Sequence, residues 1–186
     1  TQYMRVINSS DLNQTGTASF QYGLDVNPVA FDVGIHIINC GAFGSSAGYN
    51  LQFTASGVIA KIADGVSNVS TPTFTGLSVS TMYHVMVSVD RDLDLMKVFV
   101  DGVEKSSVSI AAIGSSSSSD DFHLCSSTGA GGFADATCAN LFKDSITYPL
   151  GETTGTTALD SSGNGNHGTY VNNPTLNVPD NTVPFS

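Results

Sequence analysis

The sequence predicts an all-β protein, an antiparallel sandwich of two sheets. Along many short segments, hydrophobic residues alternate with polar ones, as they do in strands with one buried face. Glycine, proline, asparagine and aspartate interrupt these segments at short intervals, and no window shows the stripe of an amphipathic helix. Many short strands without helices between them favour two packed antiparallel sheets.

The predicted strands follow one another along the whole chain. They span residues 3–7, 18–26, 33–40, 49–54, 58–63, 73–77, 82–90, 96–100, 103–110, 122–125, 145–149 and 167–171. Turn residues separate them, as at Asn27-Pro28 and Asp64-Gly65. The serine run 115–119 is interpreted as a surface loop of the same domain, because strand patterns lie on both of its sides.

The clearest single feature is a hairpin between residues 83 and 110. Valines occupy alternate positions over 85–89, and a second apolar run, 96–100, is followed directly by Asp101-Gly102. Period-two alternation that meets Asp-Gly is the strongest short-range signal for a hairpin. The segment therefore predicts neighbouring antiparallel strands.

This hairpin also resembles a known family. YHVMVSVD (83–90) and VFVDGV (98–103) are similar to the central signature of laminin G-like, concanavalin A-like domains, with Tyr83 where the family has tryptophan. Residues 3–20 resemble the family's opening strands, and residues 122–125 and 139–148 resemble the strands that close its sandwich. The resemblance implies a jelly-roll β-sandwich of the concanavalin A-like type, as found in phage tail proteins and bacterial surface proteins.

A second similar segment comes late in the chain. YPLGE (148–152) and DSSGNGNHGT (160–169) resemble a pattern that commonly begins these domains. The late position implies either a circular permutation or a fragment in which this segment supplies the strand normally given by the N-terminus. In both cases we expect the segment to complete the same sandwich, in the position normally taken by an N-terminal strand, because a strand can occupy that position from either end of the chain.

Length and composition predict one domain. A chain of 186 residues, 40% of them hydrophobic, can bury one core and roughly 70% of its unfolded surface. We assign residues 1–171 to the sandwich and residues 172–186 to a C-terminal arm. The arm carries Pro174, Pro179 and Pro184, and proline lacks the N–H that a central strand needs. It is therefore an edge strand or an extended segment, lying over its own domain or against a neighbouring subunit.

Charge excludes several classes of partner. The formal net charge is -10, with 6 Lys+Arg against 16 Asp+Glu, whereas nucleic acids and anionic membranes bind cationic faces. No apolar run approaches the roughly 20 residues that cross a bilayer, so membrane insertion is not expected. Neutral polymers or cations are the favoured partners, in a secreted or particle-borne setting.

The sequence contains no recognisable catalytic motif. Sandwich hydrolases need two carboxylates in one cleft, but Glu104 and Glu152 are the only glutamates and lie in unrelated segments. The aspartates in 90–94 are interpreted as a solvated turn. The histidines lack a motif that links them to a nucleophile, and His84 is interpreted as a structural strand residue. We expect a protein that is not an enzyme.

The strongest candidate site is the loop 160–168. Four oxygen-bearing residues alternate there with small ones: Asp160, Ser162, Asn164 and Asn166. Their oxygens could converge on a hard cation such as Ca²⁺, especially if Glu152 or Asp11 joins them. Alternatively, the glycines and asparagines supply the turn conformations between two strands. The sequence leaves both interpretations open.

Two pairs of residues are candidates for sugar binding. Sugar sites place an aromatic face beside amide or carboxylate groups, which suggests Tyr49 with Asn50, and Tyr170 with Asn172. The alternative for each is packing or a turn.

Among the cysteines, Cys125 and Cys138 flank a glycine-rich loop and are the predicted disulfide in an oxidising compartment, with Cys40 a buried thiol. In a reducing compartment all three would be small buried hydrophobes.

Two functions of different class follow. The resemblance implies a non-catalytic recognition module that binds a glycan or a cell-surface receptor, in a bacteriophage tail or fibre or in a secreted adhesin, and so extracellular or on a virion surface. The alternative is a virion decoration or filament subunit, a homo-oligomer or larger assembly whose C-terminal arm contacts its neighbours.

Overall fold

Two antiparallel sheets lie face to face, as predicted. The computed structural model describes residues 2–13, 16–41, 46–126, 132–175 and 183–185. All regular elements within these ranges are strands. Accordingly, this described part of the chain holds no helix that could span a membrane.

The strands are short and closely spaced. In chain order they are β1 (Tyr3–Val6), β2 (Phe20–Pro28), β3 (His36–Cys40), β4 (Ala47–Thr54), β5 (Gly57–Asp64), β6 (Asn68–Ser70), β7 (Phe74–Thr75), β8 (Tyr83–Asp90), β9 (Leu95–Val100), β10 (Val103–Ser109), β11 (Phe122–Leu124), β12 (Ala136–Lys143), β13 (Ile146–Tyr148), β14 (Thr157–Ala158), β15 (Gly168–Val171) and β16 (Val183–Phe185).

The late segment supplies a strand of the sandwich, as expected from the sequence, and the structure pairs this strand with β1. The nine-stranded sheet has the order β14-β15-β1-β11-β3-β4-β5-β6, with β7 paired to β5. Met4 of β1 lies opposite Tyr170 of β15 on one side and Leu124 of β11 on the other. The strand supplied by the end of the sequence is therefore a neighbour of the strand supplied by its beginning.

The seven-stranded sheet is built around the predicted hairpin. Its order is β10-β9-β8-β2-β12-β13, with β16 paired to β12. Val87 of β8 faces Val98 of β9, and the following turn has positive φ at both Asp101 (51°) and Gly102 (76°). Two successive positive φ values are what a tight turn between twisted strands requires, and the hairpin prediction is confirmed.

A cluster of aromatic rings joins the two sheets through the core. Tyr22 of β2 and Tyr49 of β4 are both fully buried, with ring centroids 4.7 Å apart. The Tyr49 hydroxyl donates to the Leu12 carbonyl (2.8 Å), and the Tyr22 hydroxyl donates to the Asn50 carbonyl (3.0 Å). Because each buried hydroxyl has an acceptor, the rings contribute their apolar area without an unpaired polar group.

The end of the predicted C-terminal arm belongs to the sandwich. Pro184 lies opposite Thr137 at the outer side of β12, in the edge position that proline permits, and Phe185 is 0% exposed within the core. Of residues 172–186, those at 176–182 and 186 lie outside the described part of the chain. The described strand at 183–185 is therefore an edge strand over its own domain, one of the placements that the sequence left open, and contact with a neighbouring subunit stays a prediction.

Candidate ligand-binding groove

A carboxylate on the outer face of the seven-stranded sheet holds two side chains together. In β2, Leu24 and Val26 point into the core, so the intervening Asp25 points outward, directly opposite His84 of β8. The His84 Nδ1 lies 2.7 Å from the Asp25 Oδ1. A carboxylate only accepts hydrogen bonds, so Nδ1 carries the proton and Nε2 remains as the second polar atom of the ring.

A bulge in β12 brings the second partner to the same carboxylate. The register between β12 and β2 shifts between Ala139 and Phe142, and Asn140 has a φ of 49°. From this position the Asn140 Nδ2 donates to the Asp25 Oδ2 (2.7 Å). Bulges and left-handed asparagines commonly redirect a side chain at functional sites.

An aromatic ring lies against this polar cluster. Phe142 of β12 stacks on His84 with ring centroids 6.1 Å apart and an interplanar angle of 10°. Opposite Phe142 in β2 is Gly23, where a Cβ would come within 2.3 Å of the Val85 carbonyl oxygen and 3.0 Å of the Phe142 ring. Glycine is therefore required at this position for β2, β8 and the ring to approach one another.

These side chains line a groove of about 440 Å³. His84, Asn140 and Phe142 form one part of the lining, and Thr147, Pro149 and Ser161 form another. The volume is that of a small-molecule site, and the combination of a stacked ring, amide, hydroxyl and carboxylate groups is suited to a polyhydroxylated ligand. Asp144, paired with the Lys143 ammonium group (2.7 Å), also lines the groove, and the additional carboxylate of Asp25 beneath His84 and Asn140 disfavours anionic ligands.

The predicted sugar contacts lie elsewhere, and most of them are buried. Tyr49 and Asn50 are each 1% exposed, and neither polar atom of the Asn50 carboxamide has a hydrogen-bond partner. Tyr170 is 3% exposed and its hydroxyl donates to the Glu152 Oε2 (2.7 Å). Asn172 is exposed at a positive φ of 61°, as in a turn. The placement of Tyr49, Asn50 and Tyr170 on a ligand-facing surface is therefore corrected, because all three are inaccessible to a ligand.

The loop 160–168 is organised around the carboxylate of Asp160. Oδ1 accepts hydrogen bonds from the Ser162 amide (2.8 Å) and hydroxyl (2.5 Å), and Oδ2 accepts one from the Asn166 amide (3.0 Å). The Ser162 Oγ in turn accepts from the Asn164 amide (3.3 Å). Burial alone would raise the pKa of Asp160, but these hydrogen bonds outweigh it and lower the pKa. The four residues are thus linked through the Asp160 and Ser162 side chains and the Asn164 and Asn166 amides, with the Asp160 oxygens engaged by the loop itself.

The two carboxylates that could complete a cation site have other contacts. The Asp11 Oδ2 accepts a hydrogen bond from the Asn166 Nδ2 (3.0 Å), and the Glu152 Oε1 accepts from the Leu159 amide (2.6 Å). No group of three or more His, Cys, Asp or Glu residues placed to hold a metal occurs among the residues that the structure describes. The arrangement matches the turn interpretation in its hydrogen bonds, and Ca²⁺ binding here stays a prediction.

The two cysteines predicted to pair are in contact within the core. Cys125 follows β11 in one sheet, Cys138 lies in β12 of the other, and their sulfurs are 3.5 Å apart as two thiols. Burial raises the pKa of the Cys125 thiol well above its ordinary value. Cys40 is also buried, with its pKa raised to about 12. The predicted proximity is present, and the disulfide itself stays a prediction.

Oxidation of the Cys125–Cys138 pair is expected to stabilise the protein by about 2–3 kcal/mol, because a bridge across a loop of this size restricts the unfolded chain. The expected observations are the loss of two free thiols, a mass decrease of about 2 Da and a higher melting temperature that dithiothreitol reverses. Cys40→Ser should leave these effects intact. Three free thiols after treatment with oxidised glutathione, with no change in melting temperature, would contradict the prediction.

The groove is absent from the sites that the sequence predicts. His84 was interpreted as structural, whereas its side chain is 47% exposed and part of the lining. The outward position of Asp25 and His84 could have been inferred from their alternation with buried neighbours. The alignment of Asp25, His84 and Asn140 depends on the register between distant strands, which no local pattern shows.

Solved structures show that the fold is shared. A Bacteroides ovatus protein whose assigned role is carbohydrate binding superposes with a TM-score of 0.68 at 16% identity, over 96% of this chain and 59% of that one. The binding domain of Paraclostridial Mosquitocidal Protein 1 superposes with a TM-score of 0.56 at 12% identity, over 66% of this chain and 32% of that one. A heptameric SAP-like pentraxin from Limulus polyphemus superposes with a TM-score of 0.54 at 12% identity, over 76% of this chain and 69% of that one.

The chain thus spans less than two thirds of the length of the first two of these structures. None of the curated protein sequences compared with the chain matches it. The family model that matches is not a laminin G-like one, although the sandwich that the laminin G-like resemblance implied is present. It is the model of the Clostridium neurotoxin N-terminal receptor-binding domain, which matches residues 11–133, 123 of the 186 residues. The chain belongs to this family of clostridial neurotoxin receptor-binding N-terminal domains.

Proposed function

We propose that this chain is a non-catalytic binding module that holds a neutral sugar of a glycan or glycosylated receptor in the groove beside His84. The observation that carries the proposal is the Asp25 carboxylate, which fixes both His84 and Asn140 next to the Phe142 ring. A sugar ring has apolar C–H faces that pack on an aromatic surface and hydroxyls that pair with amide, imidazole and hydroxyl groups.

Preorganisation supports this use of the groove. His84 is held by the Asp25 carboxylate and by the Phe142 stack, so its ring loses little freedom when a ligand binds. On the β13 side of Phe142, the Thr147 and Ser161 hydroxyls lie 2.7 Å apart, and the Ser161 hydroxyl donates to the Thr147 carbonyl (3.1 Å), so lone pairs of both oxygens remain to accept hydrogen bonds from a sugar. The groove thus offers fixed polar groups on two sides of an apolar ring.

Family membership and the shared fold support a binding role. The matched family is one of receptor-binding domains, and the Bacteroides ovatus neighbour has carbohydrate binding as its assigned role. The matched residues 11–133 include Asp25 and His84 but end before Asn140 and Phe142, so the groove itself is proposed from its geometry. The setting we propose is extracellular: a secreted adhesin or toxin-like protein, or a phage tail or fibre on a virion surface.

Phe142→Ala is expected to weaken binding of the best neutral sugar about 10-fold, because the stacking surface of the groove is lost. The measurement is an array of immobilised neutral mono- and disaccharides, followed by titration calorimetry with the strongest binder. Phe99→Ala is the matched control, since Phe99 lies on the same sheet face, opposite Met86, and does not line the groove. Equal weakening by both variants, or no binding of any neutral sugar, would contradict the proposal.

A further inference from the structure

The groove continues beyond its polar end into a more apolar depression. This second depression has a volume of about 340 Å³ and is lined by Pro149, Gly151, Glu152, Leu159 and Ser161. Pro149 and Ser161 also line the first groove. The two are therefore contiguous, and a ligand held beside His84 and Phe142 can extend over Pro149 without leaving the surface.

An exposed leucine lies in this extension, and hydrogen bonds anchor its backbone. Leu159 is 52% exposed, while its neighbours Ala158 and Asp160 are buried. Its amide donates to the Glu152 Oε1 (2.6 Å), and the Glu152 Oε2 accepts from the hydroxyl of the buried Tyr170 (2.7 Å). The backbone of Leu159 is thus tied through Glu152 to a core residue, and its apolar side chain is presented to solvent at this point of the surface.

The junction between the two parts is polar and also fixed. The Ser161 amide donates to the Thr147 carbonyl (2.8 Å), and the Ser161 and Thr147 hydroxyls are 2.7 Å apart. Along the surface the order is therefore an aromatic and carboxylate cluster, a hydroxyl pair, and an apolar depression. A ligand that matches this order is hydroxylated at one end and apolar at the other.

We propose that the groove and its extension together bind a neutral sugar that carries an apolar aglycone, with the sugar beside Phe142 and the aglycone over Leu159 and Pro149. This inference rests on the proposed sugar-binding function and specifies the class of ligand. Other exposed apolar side chains, such as Val66 and Leu93, do not line this groove or its extension.

Paired glycosides test the proposal. The methyl and octyl glycosides of one neutral sugar are titrated into the protein below the concentration at which the octyl glycoside forms micelles. We expect the octyl glycoside to bind about 10-fold more tightly, since part of its chain leaves water. Leu159→Ser should remove most of this gain and leave the affinity for the methyl glycoside unchanged, because the Leu159 amide still reaches Glu152. Leu93→Ser, at another exposed leucine, should keep the gain.

The outcomes separate this inference from the function on which it rests. Binding of the methyl glycoside with no gain from the octyl chain overturns the extension and leaves the sugar site standing. If the octyl glycoside still binds more tightly than the methyl glycoside in both Leu159→Ser and Leu159→Thr, the proposed extension is also overturned, because the aglycone then lies elsewhere. Failure of both glycosides, across the neutral sugars of the array, overturns the sugar site and the extension together. Thermal unfolding of each variant confirms that it is folded before titration.

Discussion

Phe185→Ala is expected to lower the free energy of unfolding by about 3–5 kcal/mol, the cost of deleting a buried phenylalanine ring. Phe185 is fully buried, its ring centroid lies 6.4 Å from that of Tyr170, and β16 pairs with β12. Removal of the ring leaves a cavity where the last strand covers the core. Urea unfolding monitored by circular dichroism measures the loss.

The control for this variant is Pro184→Ala, in the same strand. Pro184 is only half-buried, so its replacement removes little packing and is expected to change stability by less than about 1 kcal/mol. If Phe185→Ala also lowers the free energy of unfolding by less than about 1 kcal/mol, β16 contributes little to the stability of the domain, and the prediction is wrong.

Asp160→Ala is expected to cost about 3–4 kcal/mol, because hydrogen bonds to a charged acceptor are worth more than neutral ones and Asp160 accepts three. The loop 160–168 connects the buried Ala158 to the buried Gly168, so its loss of order also weakens β14 and β15. Asp92→Ala, at an exposed aspartate in another turn, should be nearly neutral. Similar destabilisation by both variants would contradict the prediction that the Asp160 hydrogen bonds stabilise the loop 160–168.

The same carboxylate predicts a pH dependence. Its pKa is lower in the folded protein than the ordinary 3.8, so its contribution is fully present above about pH 4 and is lost as the pH falls through the folded-state pKa. The stability difference between the wild type and Asp160→Ala should therefore shrink in acid. A difference that stays constant from pH 7 down to the acid limit would show that the variant acts by packing alone.

Ca²⁺ binding by the same loop can be tested separately through the melting temperature. If the loop 160–168 binds Ca²⁺, added Ca²⁺ raises the melting temperature of the wild type and EDTA reverses it, since a ligand that binds only the folded state stabilises it. Asp160→Ala would abolish that shift. Equal melting temperatures in Ca²⁺ and in EDTA would leave the loop as a hydrogen-bonded turn.

The fold could be predicted largely from local patterns. β8 and β9 alternate regularly between buried and less buried residues, hydrophobic and polar residues alternate over 49–53 in β4, and turn residues mark the ends of these strands. β12 was less clear because its bulge at Asn140 breaks the period-two alternation. β6 and β14 have only three and two residues, too few for a period to be recognised.

The candidate site was much less accessible to sequence reasoning. Tyr49 was assigned to a ligand, although its alternation with Leu51 and Phe53 already favours a place in the core. Asn50 lies on the opposite face of β4 but is nevertheless buried, which alternation does not reveal. The groove is lined by residues of β8, β12 and β13, with Asp25 of β2 holding two of them, and this arrangement depends on strand order and register rather than on spacing along the chain.

The position of β1 between β11 and β15 has a consequence for how the protein folds. β1 has both of its neighbours only after residue 171 has been synthesised, so the larger sheet cannot be completed while only the preceding residues of this domain are available. Such a high contact order favours slow folding. Until β15 pairs with it, one edge of β1 is open to other nascent chains, so production should benefit from chaperones and from low temperature.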